Sequence, residues 1–247
     1  MKLAIVGYGK MGKMIHSLID SKTIEVVSII DCIDQENVSA TSLSLDNLNG
    51  AEVIIDFSSP SSILDNIKFY TDNNLKAIIG TTGWLGNLEE VSAWVKNSTS
   101  SILYSGNFSI GVALTLKLAA FCAKAISKLE DYDVSVHEIH HNQKADSPSG
   151  TALMLANTLL DNIDRYDGVQ MDNKKKQDNM ISLSAQRVGS VIGTHIMTFD
   201  SPCDSIEIKH EAKNRTGFAS GAIKASLWLN NKENNLYTMD DFISELV

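Results

Sequence analysis

Two histidines and a lysine, His140, His141 and Lys144, lie within five positions of one another. A polar turn follows them and ends in Ser-Gly-Thr at 149–151, and an apolar pattern with helical spacing begins directly afterwards. The stretch therefore places proton-donating side chains beside the N-terminus of a helix. Backbone N–H groups and a partial positive charge at such an end favour a carboxylate or a phosphate. We expect a site for a small molecule with more than one negative charge.

The composition is that of a globular protein with an acidic surface. The 247 residues are enough for one large domain or two smaller ones, and 43% of them are hydrophobic. The net charge of −9 argues against a nucleic-acid partner. It also means that an anionic substrate needs a local cluster of positive charge, because the overall field repels it.

The sequence predicts a cytoplasmic protein without a membrane partner. No apolar run reaches the ~20 residues that a membrane-spanning helix needs, and the apolar segment before the first glycine is too short for a signal-peptide core. Cys32, Cys122 and Cys203 are far apart and form no CxxC motif, which is typical of reduced thiols in a cytosolic protein.

A glycine-rich segment at residues 7–12 has the pattern GxGxxG, between a predicted strand at 2–6 and a predicted helix. This order is what a dinucleotide-binding turn requires, because the glycines allow a tight turn, approach of a pyrophosphate and close helix packing. We expect cofactor contacts from all six residues of the turn: Gly7, Tyr8, Gly9, Lys10, Met11 and Gly12.

The end of the next predicted strand, at residues 25–30, bears on the choice of cofactor. Asp31 follows Gly12 by 19 positions, close to the ~20 expected for the carboxylate that binds the adenosine ribose. Asp31 favours a free ribose hydroxyl and hence NADH, and Cys32 stands where an arginine would pair with a 2′-phosphate. Lys10 offers an alternative positive charge, so both NADH and NADPH stay open.

Strands and helices continue to alternate through the first hundred residues, which predicts a Rossmann-type parallel sheet with helices on both faces. Strands are expected at 51–57, 75–79 and 101–104. Helices are expected from Ser59-Pro60 onwards and from Asn87, with Glu90 completing a capping box. Ligands bind such sheets at the carboxyl ends of the strands. The residues expected there are Gly80, Thr81, Thr82, Ser105, Gly106, Asn107 and Phe108.

The second half of the chain has a different pattern, with predicted strands grouped around one good helix at 149–162. This grouping favours a second, α+β domain with a mixed or antiparallel sheet. Its strands are expected at 133–140, 181–188, 194–199 and 205–211. A helix at 111–129 is expected to lead into this domain. Residues 167–180, with Lys174 to Lys176, are predicted to be a solvated loop. Two further helices are expected, one at 217–229 and one after Thr238, where Thr238 and Asp241 form a capping box. We expect residues 1–108 and 216–247 to bind the dinucleotide, and residues 109–215 to bind substrate and form the oligomer interface.

The segment His137-Glu138-Ile139-His140-His141 matches the HExxH signature of zinc proteases. That motif works only on a helix, where the two histidines lie ~6 Å apart along the axis. The alternating residues before it predict a strand, on which they would be ~13 Å apart, too far to share one zinc ion. We therefore expect no metal.

The motifs together resemble one family. Beyond the histidine–lysine stretch and Asp-Ser-Pro-Ser-Gly-Thr-Ala at 146–152, the matching positions are Gly-Thr-Thr-Gly at 80–83, Asn-Phe-Ser-Ile-Gly at 107–111, Arg187, Gly189, Gly193, His195, His210 and 215–221. The chain resembles the dihydrodipicolinate reductase (4-hydroxy-tetrahydrodipicolinate reductase) family of the diaminopimelate route to lysine over nearly its whole length. The resemblance implies a homotetramer joined through the second domain.

The resemblance also implies a mechanism. NADH or NADPH delivers a hydride to C4 of a small cyclic dicarboxylate, 4-hydroxy-tetrahydrodipicolinate, and water is lost. His140 and Lys144 are implied to be catalytic and to exchange protons with the substrate, and His141 is implied to bind it. The residues implied to hold a substrate carboxylate are Ser149, Gly150 and Thr151.

Two other functions fit part of the sequence. Another small two-domain NAD(P)-dependent dehydrogenase, of the aspartate or homoserine type, would share residues 1–108 but has no need of the element at 140–151. A non-catalytic NAD(H)-sensing protein would bind the cofactor and turn nothing over.

Overall fold

The computed structural model describes residues 1–171 and 177–246, and the lysine run predicted to be a solvated loop, Lys174 to Lys176, lies outside them. The chain divides into two compact units. The first consists of Met1–Ile110 together with Thr216–Val247, and the second of Gly111–Arg215. Among the described residues, no helix combines the length and the apolar character needed to cross a bilayer.

The first unit contains a six-stranded sheet in which every pair of neighbouring strands is parallel. Its strands are β1 (Lys2–Val6), β2 (Glu25–Ile30), β3 (Val53–Asp56), β4 (Lys76–Ile79), β5 (Ser101–Tyr104) and β11 (Asn235–Thr238). They lie in the order β11-β5-β4-β3-β1-β2. The strand order reverses between β1 and β3, and doubly wound sheets bind dinucleotides at such a point.

Helices cover both faces of this sheet, which explains why its central strands are almost wholly apolar. They are α1 (Lys10–Leu18), α2 (Leu45–Leu48), α3 (Ile63–Asp72), α4 (Leu88–Lys96), α7 (Thr216–Asn230) and α8 (Met239–Ser244). Helix α7 packs against β3, β4 and β5. Gly221 makes this approach possible, because a Cβ atom there would lie 1.8 Å from the carbonyl oxygen of Phe108.

Four details of the first unit differ from the sequence predictions. The helix expected at Ser59-Pro60 begins at Ile63, because the hydroxyls of Ser59 and its serine neighbours bond to one another in a preceding turn. Asn87 makes no capping bond, since a 3-10 turn at Leu85–Asn87 holds it outside the extended conformation that capping needs. Strand β11 and the four-residue helix α2 were not predicted. The capping box predicted at the start of the last helix, between Thr238 and Asp241, is present.

The second unit contains a mixed five-stranded sheet in the order β10-β9-β6-β8-β7. Its elements are α5 (Ile110–Ile126), β6 (Asp133–His140), α6 (Gly150–Leu160), β7 (Gly168–Gln170), β8 (Met180–Arg187), β9 (Thr194–Asp200) and β10 (Ser205–Glu211). The pairs β6/β8 and β7/β8 are parallel, and the other two are antiparallel. Strand β7 lies within the segment predicted to be a loop. The two sheets confirm the predicted fold class.

The alternation of β6 sets the position of the candidate site. Val134, Val136, Glu138 and His140 are buried, and the residues between them are more exposed. Successive side chains of a strand point to opposite faces, so these four share one face. Helix α6 packs against β6, β8 and β9, and its buried residues join the two valines in one hydrophobic core.

Candidate active site

Glu138 and His140 continue the buried face of β6 beyond its valines. Glu138 is fully buried and His140 is 6% exposed. The Oε2 atom of Glu138 lies 3.4 Å from Nδ1 of His140. A carboxylate and an imidazole therefore replace core side chains at the end of the strand.

The Glu138 carboxylate is held from two other elements. The backbone N–H of Ser149 donates to it at 3.1 Å (Oε1) and 3.2 Å (Oε2), and Nη2 of Arg187 donates to Oε1 at 3.1 Å. Burial raises the pKa of Glu138, but the hydrogen bonds from Ser149 and Arg187 and the proximity of His140 outweigh it and leave the pKa below its usual value. The group is therefore a fixed carboxylate at neutral pH.

A second histidine from β9 joins this pair. Nε2 of His195 lies 3.6 Å from Oε2 of Glu138, and its ring meets that of His140 edge to face with centroids 5.2 Å apart. Burial lowers the pKa of His140, as do the charges of Lys144 and Arg187, against the attraction of Glu138. Burial and the neighbouring His140 lower the pKa of His195 to about 4. Both imidazoles are consequently neutral near pH 7.

Ser149 connects this cluster to the start of α6. Its hydroxyl accepts a hydrogen bond of 3.1 Å from the backbone N–H of Ala152, as an N-cap residue does. The same oxygen lies 3.1 Å from Nε2 of His195. Gly150 and Thr151 form the first turn of α6, whose N–H groups point toward its N-terminal end. The sequence-predicted residues of this turn therefore lie beside the buried histidines.

Lys144 lies in the turn between β6 and α6, 22% exposed at its side chain, with Nζ 2.8 Å from Oδ1 of Asp146. That contact is the main cause that holds the pKa of Asp146 below its usual value. Two carboxylates, Glu138 and Asp146, balance the positive charges of this stretch, and burial keeps His140 neutral. His141 follows the end of β6 and is half-buried.

The geometry of the cluster bears on metal binding. The segment His137 to His140 is a strand, as its alternation predicts, and Nδ1 of His137 contacts Ser184 Oγ at 2.7 Å. One ligand atom each from Glu138, His140 and His195 nevertheless lies within 4.8 Å of the others, a spacing that a metal ion can bridge. The guanidinium of Arg187 on the same carboxylate opposes a divalent cation there.

In the first unit, the glycine turn has the geometry that a dinucleotide requires. Gly7 has a φ of +88°, and a Cβ atom there would lie 2.3 Å from the carbonyl oxygen of Phe57. A Cβ atom on Gly12 would lie 2.1 Å from the carbonyl oxygen of Gly7, whereas one on Gly9 would meet nothing within 4 Å. The turn is thus tight at both ends and open in the middle, which fits a pyrophosphate at the start of α1. Tyr8 is buried, whereas Lys10 and Met11 in the first turn of α1 are more exposed.

Asp31 closes the turn from the end of β2. Its Oδ2 accepts a hydrogen bond of 2.6 Å from the N–H of Tyr8, and its Oδ1 accepts one of 2.9 Å from that of Ile33. Asp31 also lines a cavity of about 350 Å³ together with Gly7, Gly9, Phe57 and Ser58, among others. The cavity lies at the point where the strand order reverses, as expected for the adenosine end of a dinucleotide.

The two glycine-bearing loops follow neighbouring strands, β4 and β5, and lie close together. A Cβ atom on Gly106 would lie 3.6 Å from Cγ2 of Thr82. The rings of Phe108 and Phe57 meet edge to face at 5.9 Å. Ser105 fixes its loop, because its hydroxyl donates to the carbonyl of Asn107 at 2.8 Å and accepts from the N–H of the same residue at 3.0 Å.

A buried carboxylate at the end of β3 links these loops to α3. Oδ2 of Asp56 accepts hydrogen bonds from Tyr70 at 2.7 Å and from Asn66 at 2.9 Å. Its Oδ1 accepts one from the N–H of Ser58 at 2.9 Å and lies 3.5 Å from Oγ1 of Thr81. Burial raises the pKa of Asp56 despite these donors.

Glu138, Arg187 and His195 are not among the site residues that the sequence predicts. The first was seen only as part of HExxH, and the other two only as positions of the family resemblance. A signal for Glu138 was present, because it keeps the phase of Val134 and Val136. Polar residues in the buried phase of a strand need partners, and their presence indicates a built polar cluster.

Comparison with known proteins identifies the family. The model described as "Dihydrodipicolinate reductase, N-terminus" matches residues 1–108, and the one described as "Dihydrodipicolinate reductase, C-terminus" matches residues 111–243. This chain belongs to the dihydrodipicolinate reductase family. The resemblance drawn from the sequence is thereby confirmed.

The similar proteins agree with this membership. The chain is 37% identical over 246 residues to 4-hydroxy-tetrahydrodipicolinate reductase of Christiangramia forsetii, covering 100% of this chain and 99% of that one. It is 38% identical over 241 residues to the enzyme of the same name from Rickettsia rickettsii, with 94% of each covered. A dipicolinate-bound dihydrodipicolinate reductase from Paenisporosarcina sp. TG-14 has the same fold, with a TM-score of 0.79, 24% identity and 98% of both chains covered. An aspartate dehydrogenase from Thermotoga maritima is more distant in fold, with a TM-score of 0.52, 14% identity and coverage of 94% and 97%.

Proposed function

We propose that this protein reduces 4-hydroxy-tetrahydrodipicolinate with NADH or NADPH, giving tetrahydrodipicolinate and water in the diaminopimelate route to lysine. Family membership over both units supports the reaction. The observation that carries the residue assignment is the joint placement of His140, Lys144 and the first turn of α6 around one end of β6. A basic group, a proton-exchanging imidazole and an anion-binding helix end meet there.

The cofactor belongs to the turn at residues 7–12 and to Asp31. When bound, the nicotinamide supplies the hydride for C4 of the substrate ring. In our proposal the backbone of the turn holds the pyrophosphate, Asp31 holds the adenosine ribose, and the loops at 80–82 and 105–108 line the nicotinamide end. The open position at Gly9 and the cavity beside Asp31 support this assignment.

The substrate belongs to the second unit in this proposal. The first turn of α6, at Gly150 and Thr151, binds one carboxylate through backbone N–H groups and the partial positive charge of the helix end. Ser149 fixes that turn, since its hydroxyl already caps α6 and faces His195. His141 contributes a further polar contact. A planar dicarboxylate fits such a site, and a protein of the same fold binds dipicolinate.

Proton transfer is assigned to His140 and Lys144. Reduction of a conjugated imine raises the electron density on the ring, and a positioned acid must supply a proton there. Lys144 is the proton donor, and the neutral His140 exchanges a proton with the substrate. The charge of Lys144 is close enough to lower the pKa of His140, so the two groups act on one another.

The test is a coupled assay. Aspartate semialdehyde, pyruvate and the preceding synthase generate the substrate, and absorbance at the nicotinamide band follows NADH or NADPH. We expect oxidation of at least one cofactor and competitive inhibition by dipicolinate. No oxidation of either cofactor would exclude the reductase and favour an NAD(H)-sensing role, provided that the protein still binds the cofactor.

We also propose a homotetramer in the cytoplasm, as the family resemblance implies. The exposed edge of β10, where Ile206 is 43% exposed, is one surface available for pairing between copies. Light scattering coupled to size-exclusion chromatography should give four times the chain mass of 27.0 kDa. A single-chain mass at micromolar concentration would overturn this part of the proposal.

A further inference from the structure

Glu138 has no part in the substrate contacts or proton transfers proposed above. It is nevertheless fully buried, ionised and held by two donors. Burying a carboxylate at the end of a strand is costly unless other groups compensate. The structure concentrates those groups around Glu138, which indicates a function for its charge.

We propose that Glu138 is a positioning residue for His140, whose Nδ1 proton it holds through Oε2 so that Nε2 faces the substrate. The inference rests on the proposed function, because it takes His140 as the group that exchanges a proton. A carboxylate that fixes the tautomer and orientation of an imidazole in this way is a general device of acid–base catalysis.

The pleat of β6 fixes the relation between the two side chains. Residues two apart on a strand share a face and are about 6.6 Å apart along it, which brings Oε2 of Glu138 to 3.4 Å from Nδ1 of His140. Within the described residues Nδ1 has no hydrogen-bond partner, and its contact with Oε2 is an ion-pair distance rather than a formed hydrogen bond. The carboxylate is thus the acceptor available to a proton on that nitrogen.

The carboxylate itself cannot turn away easily. Ser149 donates from the start of α6 and Arg187 from the end of β8, so two separate elements fix its orientation. Arg187 also donates to the carbonyl of Asp146 at 2.5 Å. The same contacts therefore connect Glu138 to the turn that carries Lys144.

The other nitrogen of His140 lies beside a residue without a side chain. A Cβ atom on Gly193 would be 3.0 Å from Nε2 of His140. Glycine at this position thus keeps the space next to Nε2 clear, whereas Nδ1 faces the carboxylate. The two ring nitrogens of His140 therefore have different surroundings, which is what a single productive tautomer requires.

A metal site is the competing interpretation of the same cluster, since Glu138, His140 and His195 offer three converging ligand atoms. Arg187 already occupies Oε1 of the carboxylate at 3.1 Å, and its charge opposes a dication. The tautomer inference needs no group beyond those in the chain. The two interpretations differ in their response to a chelator and to added Zn²⁺.

The decisive measurement is ¹⁵N NMR of the full-length wild-type protein with labelled histidines, and the His140→Gln variant assigns the signal among the six histidines. We expect His140 to carry its proton on Nδ1 at neutral pH. The expected spectrum is unchanged by EDTA. A proton on Nε2 of His140 in the wild type would overturn the inference, as would loss of this signal pattern on chelation with recovery on adding Zn²⁺.

The matched variants are Glu138→Gln and Glu245→Gln. The amide of the first keeps the volume, removes the charge and offers an N–H to Nδ1, so we expect the proton to move to Nε2 and kcat to fall by about 10²–10⁴-fold with cofactor affinity unchanged. Glu245 is an exposed carboxylate of the first unit paired with Lys232, and its variant should behave like the wild type. A folded Glu138→Gln protein with the original tautomer would contradict the proposal.

The pH profile provides a readout that a merely structural role would not move. The charged and titratable groups that face His140 are Glu138, Arg187, His195, Lys144 and Asp146. Of these, Glu138 is the nearest negative charge, and it raises the pKa of His140. The limb of the kcat profile that reports His140 should therefore shift to lower pH in Glu138→Gln. An unshifted limb would overturn the inference. An inactive wild type with the Nδ1 tautomer would instead exclude the reductase function and leave the orientation by Glu138 established.

Discussion

The hydroxyl of Tyr70 donates a hydrogen bond of 2.7 Å to Oδ2 of Asp56, and neither residue has exposed surface. This bond joins α3 to the end of β3, next to the loop that begins at Gly80. Burial raises the pKa of Asp56, and the tyrosine hydroxyl opposes that effect. The same burial, together with the charge of Asp56, raises the pKa of Tyr70 well above its usual value. The pair is a pH-sensitive link in the cofactor-binding unit.

Tyr70→Phe should destabilise the protein by about 1–3 kcal/mol, because it removes a donor from a buried carboxylate. The raised pKa means that the folded state holds the Asp56 proton more tightly than the unfolded chain. Protonation of Asp56 therefore stabilises the folded state. This contribution is fully present below the unfolded-state pKa of about 3.9, and it is lost as the pH rises through the folded-state pKa. The variant raises the folded pKa further, so its deficit should be larger at about pH 8 than at about pH 4.

Denaturant unfolding at the two pH values measures this difference. Tyr237→Phe is the matched control, because its hydroxyl donates to the carbonyl of Glu233 in an exposed position, and it should change stability by less than about 0.5 kcal/mol. An equal deficit for Tyr70→Phe at both pH values would show that the hydroxyl does not stabilise an ionised Asp56.

Gly193→Ala tests whether the position of the His140 ring controls turnover. The new methyl group would lie 3.0 Å from Nε2 and 3.4 Å from Cδ2, so the ring has to move by a few tenths of an ångström. We expect kcat to fall about tenfold, since small misplacements of a catalytic group are costly, while the melting temperature stays close to that of the wild type. Gly217→Ala is the control, because a Cβ atom there meets nothing within 4 Å. Unchanged kcat in Gly193→Ala would argue against a precise requirement at Nε2.

Lys144→Ala should lower kcat by about 10²–10⁴-fold, as expected for loss of a proton donor. The dissociation constant for NADH, measured by fluorescence, should stay nearly unchanged, because the lysine belongs to the second unit and the glycine turn to the first. Lys68→Ala removes a half-exposed lysine of α3 and should retain full activity. A large loss of NADH affinity in Lys144→Ala would mean that the lysine serves the cofactor.

Asp31→Asn should shift cofactor preference toward NADPH. The carboxylate accepts from the N–H groups of Tyr8 and Ile33, and its charge disfavours a 2′-phosphate. We expect the ratio of kcat/KM for NADPH over NADH to rise by about tenfold, about 1.4 kcal/mol of discrimination. The exposed Asp34 provides a control, because Asp34→Asn removes a nearby charge outside the turn. A ratio that does not change would assign selectivity to Lys10 or to another group.

The sequence predicts the elements better than it predicts the buried polar cluster. Strand β6 and the glycine turn follow from local patterns, alternation in one case and GxGxxG after a strand in the other. The partners of Glu138 do not follow, because Arg187 and His195 come from strands that pair with β6 over long sequence separations. The register between paired strands decides which polar residues come into contact. That register cannot be predicted from the sequence of one strand.

Short elements at the edge of a sheet are also poorly encoded. Strand β11 has only two apolar residues, Leu236 and Tyr237, and pairs on one side with β5. Its strand conformation depends on that neighbour more than on its own composition. The start of α3 was also misplaced, because Ser59 and Pro60 lie in a turn whose serine hydroxyls bond to one another before the helix begins at Ile63.

The origin of β11 has a consequence for how the protein is made on the ribosome. The sheet of the first unit takes one of its two edge strands from Asn235–Thr238, after the whole of the second unit has been synthesised. The second unit is one continuous stretch of chain and can complete its own hydrogen-bonded sheet while translation is still under way. The first unit acquires this strand only after residues 235–238 have emerged, so a chain truncated before Asn235 would keep the second unit whole and leave the sheet of the first unit unfinished.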